Sequence, residues 1–225
     1  MCRVNTTRPL VALTFDDGPD PTYTPAILEL LQRDGAHATF FVLGEQAAAH
    51  PALLSAERDA GMEIANHTWS HPHLPTLTTA QVLEEAARTG ELLGADSVPE
   101  FRAPYGEITA PQLSALQTDG GYTVVHWSVA IDHYVGGMGL SPQEAAVSLA
   151  ASLQPGDIIL AHDAAVLPKD GGADRSDATE TLRLLLPELR SRGVQVTTVT
   201  ALLNSGTPLH ASPRPWFWQS GFECR

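Results

Sequence analysis

The chain has 225 residues, 43% of them hydrophobic and 17% charged, which suits one globular domain with a full core. No apolar run approaches the length of a membrane span. Thirteen basic against 26 acidic residues give a formal charge of -13, which argues against a nucleic-acid or anionic-membrane partner and favours a neutral or cationic substrate.

Cys2 and Cys224 lie near opposite ends of the chain, and they form either one disulfide joining the ends, which would imply an oxidising compartment, or two free thiols. The opening MCRVNTTRP has no apolar h-region, so the protein is either cytoplasmic or a mature domain without its export segment. Short apolar, β-rich runs at 11–15, 38–43, 63–66, 100–103, 123–129, 157–162 and 194–199 alternate with helical patterns. Thr78 with Gln81 and Ser141 with Glu144 read as capping boxes, the second with Pro142 at the first helical position. Leu182, Leu185, Leu186 and Leu189 give the stripe of a helix lying on a core. This order points to a parallel sheet covered by helices, doubly wound or closed into a barrel, and no glycine-rich phosphate loop follows the first strand.

Polar residues gather at strand ends. The first strand runs into Asp16 and Asp17, two carboxylates that are either solvated turn residues before Gly18 and Pro19 or a pair whose repulsion a cation or a shared proton offsets. His67 follows the third run, Arg102 the fourth, Asp132 the fifth and His162 the sixth, and in a β/α barrel such ends converge on one mouth. His67 and His71 are four apart, a spacing that on a helical turn puts both imidazoles on one face; Asp17 can complete a two-His, one-carboxylate set, and His73 is read as flanking. Alone, the pair fits a polar surface loop as well.

Together TFDDGP at 14–19, HTWSH at 67–71, RAPYG at 102–106 and LAH at 160–162 resemble, in order and spacing, the motifs of the polysaccharide deacetylases of carbohydrate esterase family 4, the NodB-homology domain. The resemblance implies a distorted (β/α)7-8 barrel in a single domain, 1–225, with a motif-bearing core at about 10–203 and a tail at 204–225. It implies Asp17, His67 and His71 as ligands of a divalent metal, zinc first, with cobalt or nickel as alternatives. By the same resemblance Asp16 is the general base, Arg102 holds it, the backbone N–H of Tyr105 helps to stabilise an oxyanion, His162 is the general acid, and Leu160 lines the slot for the acetyl methyl. Trp127 is a further substrate-binding candidate.

One segment departs from the family pattern. Trp127-Ser-Val-Ala-Ile-Asp-His-Tyr134 carries Ala130 and His133 where an ungapped match has Asp, and Asp132 is expected to reach His162 instead. Trp216 and its neighbours in 213–218 are either packing residues or a sugar-stacking surface. The expected activity is metal-dependent N-deacetylation of N-acetylglucosamine-containing glycans by a secreted or cell-surface monomer. An O-acetyl esterase on xylan and a non-catalytic glycan-binding domain are the rivals.

Overall fold

A computed structural model describes residues 1–164 and 174–210. Its elements are β1 (Arg3–Asn5), β2 (Leu10–Asp16), α1 (Thr24–Asp34), β3 (Thr39–Val42), α2 (Gly44–Ala49), α3 (Pro51–Asp59), β4 (Glu63–Asn66), α4 (Thr79–Leu93) and β5 (Glu100–Phe101). They continue with α5 (Ala110–Thr118), β6 (Thr123–Val124), β7 (Val129–Ala130), α6 (Pro142–Ser152), β8 (Ile158–His162), α7 (Ser176–Ser191), β9 (Gln195–Thr197), α8 (Val199–Leu203) and β10 (Thr207–Leu209).

The main sheet is parallel, in the order β6-β5-β4-β3-β2-β8-β7, and curls into a distorted barrel; among the described residues no strand pairing joins β6 to β7. Its centre is β2. One edge of β2 pairs with β8, and the opposite edge is shared by β9, at Leu10–Ala12, and β3, at Thr14–Asp16. The run 123–129 is two short strands rather than one. Arg102 takes the carbonyls of Val125 and His126, and the His126 N–H goes to Met1, so the backbone groups that would extend β6 are already bonded. Part of the expected tail is also structured, since Thr207–Leu209 pairs antiparallel with β1. Cys224 and the 213–218 aromatics lie outside the described residues, while Cys2 is fully buried beside β10.

The helices start where the sequence says they should. Both expected capping boxes are formed, and Thr109 with Gln112 adds a third on α5. Each such cap is worth about 1 kcal/mol. Leu182, Leu185, Leu186 and Leu189 are buried where α7 packs on α6 and α1, each contributing about 1.5–3 kcal/mol of burial.

Strand alternation sorts the core into two layers. Val11, Leu13 and Phe15 of β2, Phe40 and Val42 of β3, Ile64 of β4 and Ile159 and Ala161 of β8 face the helices. Leu10, Ala12, Phe41, Ala65 and Ile158 belong to the smaller cluster inside the barrel. Continuing that inner parity up the strands reaches Thr14 and Asp16, His67, and Leu160 and His162. Phe101 packs among the residues of α4 and α5, so Arg102, next in sequence, turns inward.

Candidate active site

The inner-face polar residues meet at the C-terminal ends of the strands. Arg102 is completely buried and donates from Nη1 to Asp16 Oδ1 at 2.7 Å and to Thr14 Oγ1 at 2.7 Å. Its Nε and Nη2 donate to the Val125 and His126 carbonyls at 3.2 and 3.1 Å, and Phe41 lies under the guanidinium at 4.1 Å. Burial works against its charge, and Asp16 offsets that through charge and hydrogen bond.

On an extended strand, neighbours Asp16 and Asp17 would face opposite sides of the sheet. Asp17 has φ 79°, in the left-handed region, which breaks the alternation and brings its carboxylate to His67, the histidine that Asp16 also faces. His67 Nε2 lies 3.5 Å from Asp17 Oδ1 and 3.7 Å from Asp16 Oδ2, and His71 Nε2 lies 3.4 Å from Asp17 Oδ1.

His67 Nδ1 is 2.8 Å from the Arg102 carbonyl, which can only accept, so Nδ1 carries the proton and the Nε2 lone pair points at Asp17. Two imidazole nitrogens and a carboxylate oxygen thus converge, and Asp17 Oδ1 is buried with no hydrogen-bond partner. One ligand atom from each residue lies within 4.8 Å of the others. The 3.4–3.5 Å spacings approach the edge of a tetrahedron with zinc-like bonds, about 3.3 Å. The donor set therefore fits a divalent cation. Burial would raise Asp17, but the facing His67, with His162 and His71, holds it below the usual carboxylate range.

The segment from His67 to His71 is not a helical turn, as the spacing suggests, but a loop with Thr68 at φ 73° and His71 at φ 56°. The loop is braced from below. Glu85 on α4 accepts from the backbone N–H groups of Trp69 and Ser70, both at 2.9 Å, and from Ser70 Oγ at 3.1 Å. Asn66 accepts from Thr68 N at 2.9 Å while donating to the Ala86 carbonyl at 2.8 Å, and Thr68 Oγ1 accepts from His71 N at 3.2 Å. Trp69 sits on Gly44, where an added Cβ would meet the indole at 2.3 Å.

At the opposite wall His162 Nδ1 is 2.7 Å from Asp132 Oδ2, as the sequence reading expects. Burial alone would lower His162, but the charge and hydrogen bond of Asp132 and the charge of Asp17 raise it above its ordinary value, with Arg175 opposing. Burial likewise works against Asp132, and His162 followed by Arg175 hold it below the usual range. His133 stacks edge-on against Tyr134, with 85° between the rings.

Tyr105 has φ 58°; its ring meets His71 edge-on at 4.5 Å and stacks on His73 at 3.9 Å. His73 stands outside the Asp17, His67 and His71 cluster, 3.3 Å from Glu107. Leu160 is buried on the inner face, and Trp127 is half-buried against the inner core with its ring over Gly106.

Several contributors were not singled out from sequence: Thr14, Asn66, Glu85, Asp163 and Arg175. Thr14 and Asn66 lie in or beside the motifs, and Asp163 follows His162, so adjacency was their only signal. Asp163 accepts from Gly18 N at 3.1 Å and from the Thr24 hydroxyl. Burial, then the charges of Asp17 and Asp16, push Asp163 up to about 7 against the pull of the Thr24 hydrogen bond. Glu85 and Arg175 carry no pattern that marks them.

A curled parallel sheet thus carries, at its strand ends, a buried arginine–carboxylate pair beside a two-imidazole, one-carboxylate set that fits a divalent cation. A family model described as polysaccharide deacetylase matches residues 3–125. The chain is 33% identical over 198 residues to a peptidoglycan-N-acetylglucosamine deacetylase of Bacillus cereus, covering 87% of this chain and 68% of that one. It is 37% identical over 206 residues to a chitooligosaccharide deacetylase of Sinorhizobium fredii, covering 85% and 90%. Among solved structures, a peptidoglycan N-acetylglucosamine deacetylase in complex with 4-naphthalen-1-yl-N-oxidanyl-benzamide superposes with a TM-score of 0.80 at 30% identity over 92% and 93% of the two chains. The chain belongs to the polysaccharide deacetylase family, carbohydrate esterase family 4, and is a hydrolase of that family.

Proposed function

We propose that the protein hydrolyses N-acetyl groups of N-acetylglucosamine-containing glycans, chito-oligosaccharides or peptidoglycan, as a single-domain monomer acting outside the cell or at its surface. The observation that carries the metal site is Asp17 Oδ1, a buried oxygen that accepts no hydrogen bond and faces the Nε2 atoms of His67 and His71. The names of the relatives support the N-acetyl sugar, and the acidic balance of the chain suits a neutral substrate that becomes a cationic product. Asp17, His67 and His71 hold a divalent cation, zinc first. Such a cation supplies Lewis-acid polarisation of an acyl oxygen and acidifies water to a pKa of about 7.

The protein's own groups do the rest. Asp16, fixed by Arg102, accepts the proton of the attacking water, and His162 gives a proton to the departing amine from Nε2, because Nδ1 is committed to Asp132. Leu160 and Trp127 shape the acetyl and sugar sides of the pocket, and the Tyr105 amide is assigned to the oxyanion.

The test is acetate release from chito-oligosaccharides, peptidoglycan and acetylxylan by the chelated and the zinc-reconstituted protein. Release from N-acetylated substrates that stops on chelation and returns with zinc or cobalt is the expected result. Release from acetylxylan alone, or from rigorously metal-free protein, would overturn the assignment.

A further inference from the structure

We propose that Arg175 is a positioning residue for the general acid, holding Asp132 so that Asp132 in turn holds His162; the inference rests on His162 having the role given above. Asp132 follows β7 at the start of a π-helical turn, and its side chain is about one quarter exposed, at 24%. Nothing in that placement stops the carboxylate from swinging towards water. Its two oxygens are nevertheless used separately: Oδ2 accepts from His162 Nδ1 at 2.7 Å, and Oδ1 accepts from Arg175 Nη1 at 2.7 Å.

Arg175 is itself held. Its side chain is only 8% exposed, its Nε donates to the Ala164 carbonyl at 3.1 Å, and its backbone N–H donates to Tyr23 Oη at 3.3 Å. Tyr23 Oη donates in turn to Asp174 at 3.0 Å. One guanidinium therefore ties the segment after β8, which carries His162, to the turn after β7, which carries Asp132, while its backbone is fastened to the segment before α1. A buried arginine carries a desolvation penalty of several kcal/mol unless it is well bonded, so this is no loose surface ion pair. The planar guanidinium fixes direction as well as charge, which an ammonium does not.

In amide hydrolysis the hydroxyl of water goes to the acyl carbon, the C–N electron pair goes to nitrogen, and the His162 proton follows it. A 4-nitrophenolate leaves as an anion and needs no such proton. The loss on removing Arg175 should therefore depend on the leaving group, which a merely structural staple would not produce.

The experiment compares wild type, Arg175→Gln and Arg175→Lys as zinc-loaded full chains. Arg175→Gln should lower kcat on N-acetylated chito-oligosaccharide by about 10- to 100-fold, part of the roughly 100- to 10,000-fold that a positioned acid supplies. KM and zinc content should stay at wild-type values, and hydrolysis of 4-nitrophenyl acetate should change by less than about threefold. Arg175→Lys should fall between, and it carries the test if the glutamine variant does not fold. The proton NMR signal of the His162 Nδ1–H, assigned by its loss in Asp132→Asn, should broaden in both variants. Equal losses on amide and ester, an unchanged amide kcat, or an unchanged Nδ1–H signal would overturn the proposal. If wild type releases no acetate from any N-acetyl substrate, the proposed function fails, and the Nδ1–H signal still decides whether Arg175 positions the pair.

Discussion

At the scale of single residues the site depends on one departure from strand geometry. The left-handed backbone at Asp17 lets adjacent carboxylates serve one cavity with different partners: Arg102 for Asp16, the two imidazoles for Asp17. Asp16→Asn should therefore keep zinc while losing about 100- to 10,000-fold in kcat. Asp17→Asn should weaken zinc binding by more than the roughly 10- to 100-fold typical of losing an outer partner, read by competition with a chelator. Asp132 sets the other side of the chemistry. Its carboxylate raises His162, so Asp132→Asn should let the imidazole lose its proton at lower pH. The descending, high-pH limb of the kcat profile should then move to lower pH, with kcat reduced and zinc affinity nearly unchanged. Nearly all of these side chains were legible in sequence, because each lies in a short motif at a strand end. Arg175 was not, since what places it beside Asp132 is the packing of segments 43 positions apart, which leaves no local pattern.

Among the elements, the loop after β4 shows why spacing alone misleads. His67 and His71 sit at a helical interval, yet Glu85, Asn66 and Thr68 satisfy the loop's backbone N–H groups, so no helix is needed to do so. Glu85→Ala would deprive the partly buried Trp69 and Ser70 amides of their acceptor, at a cost below the roughly 1–3 kcal/mol of a fully buried group left unpaired. Zinc affinity should drop about tenfold, with activity recovered by added zinc. Failure of excess zinc to restore turnover would mean that the loop serves more than the ligands. The capping boxes were readable because each is a local bargain between residues three apart. The division of 123–129 was not, since it is imposed by Arg102, a residue more than twenty positions away.

Across the whole molecule, stability and chemistry draw on different carboxylates. Glu57 on α3 is fully buried, and neither oxygen has a hydrogen-bond partner among the described residues. Burial, then the charge of Asp163, raises it well above 4.5, with Arg58 opposing. A raised carboxylate makes the folded state bind more protons than the unfolded one, so stability is lost as pH climbs from the unfolded value towards the folded one. Glu57→Met should accordingly raise Tm most at pH 8 and least near pH 4.5, by about 2–4 °C for each kcal/mol recovered in a chain of this size. An equal gain at both pH values would point to packing rather than ionisation. The strand bearing Asp16 has neighbours along both edges, β8 on one and β9 with β3 on the other, so its amides are freed only when the sheet itself comes apart. In hydrogen exchange those amides should be among the last to trade with deuterium, at a rate set by global unfolding. Loss of activity in denaturant should then trace the same curve as loss of fold, leaving no window in which the enzyme stays folded while Asp16 has come loose.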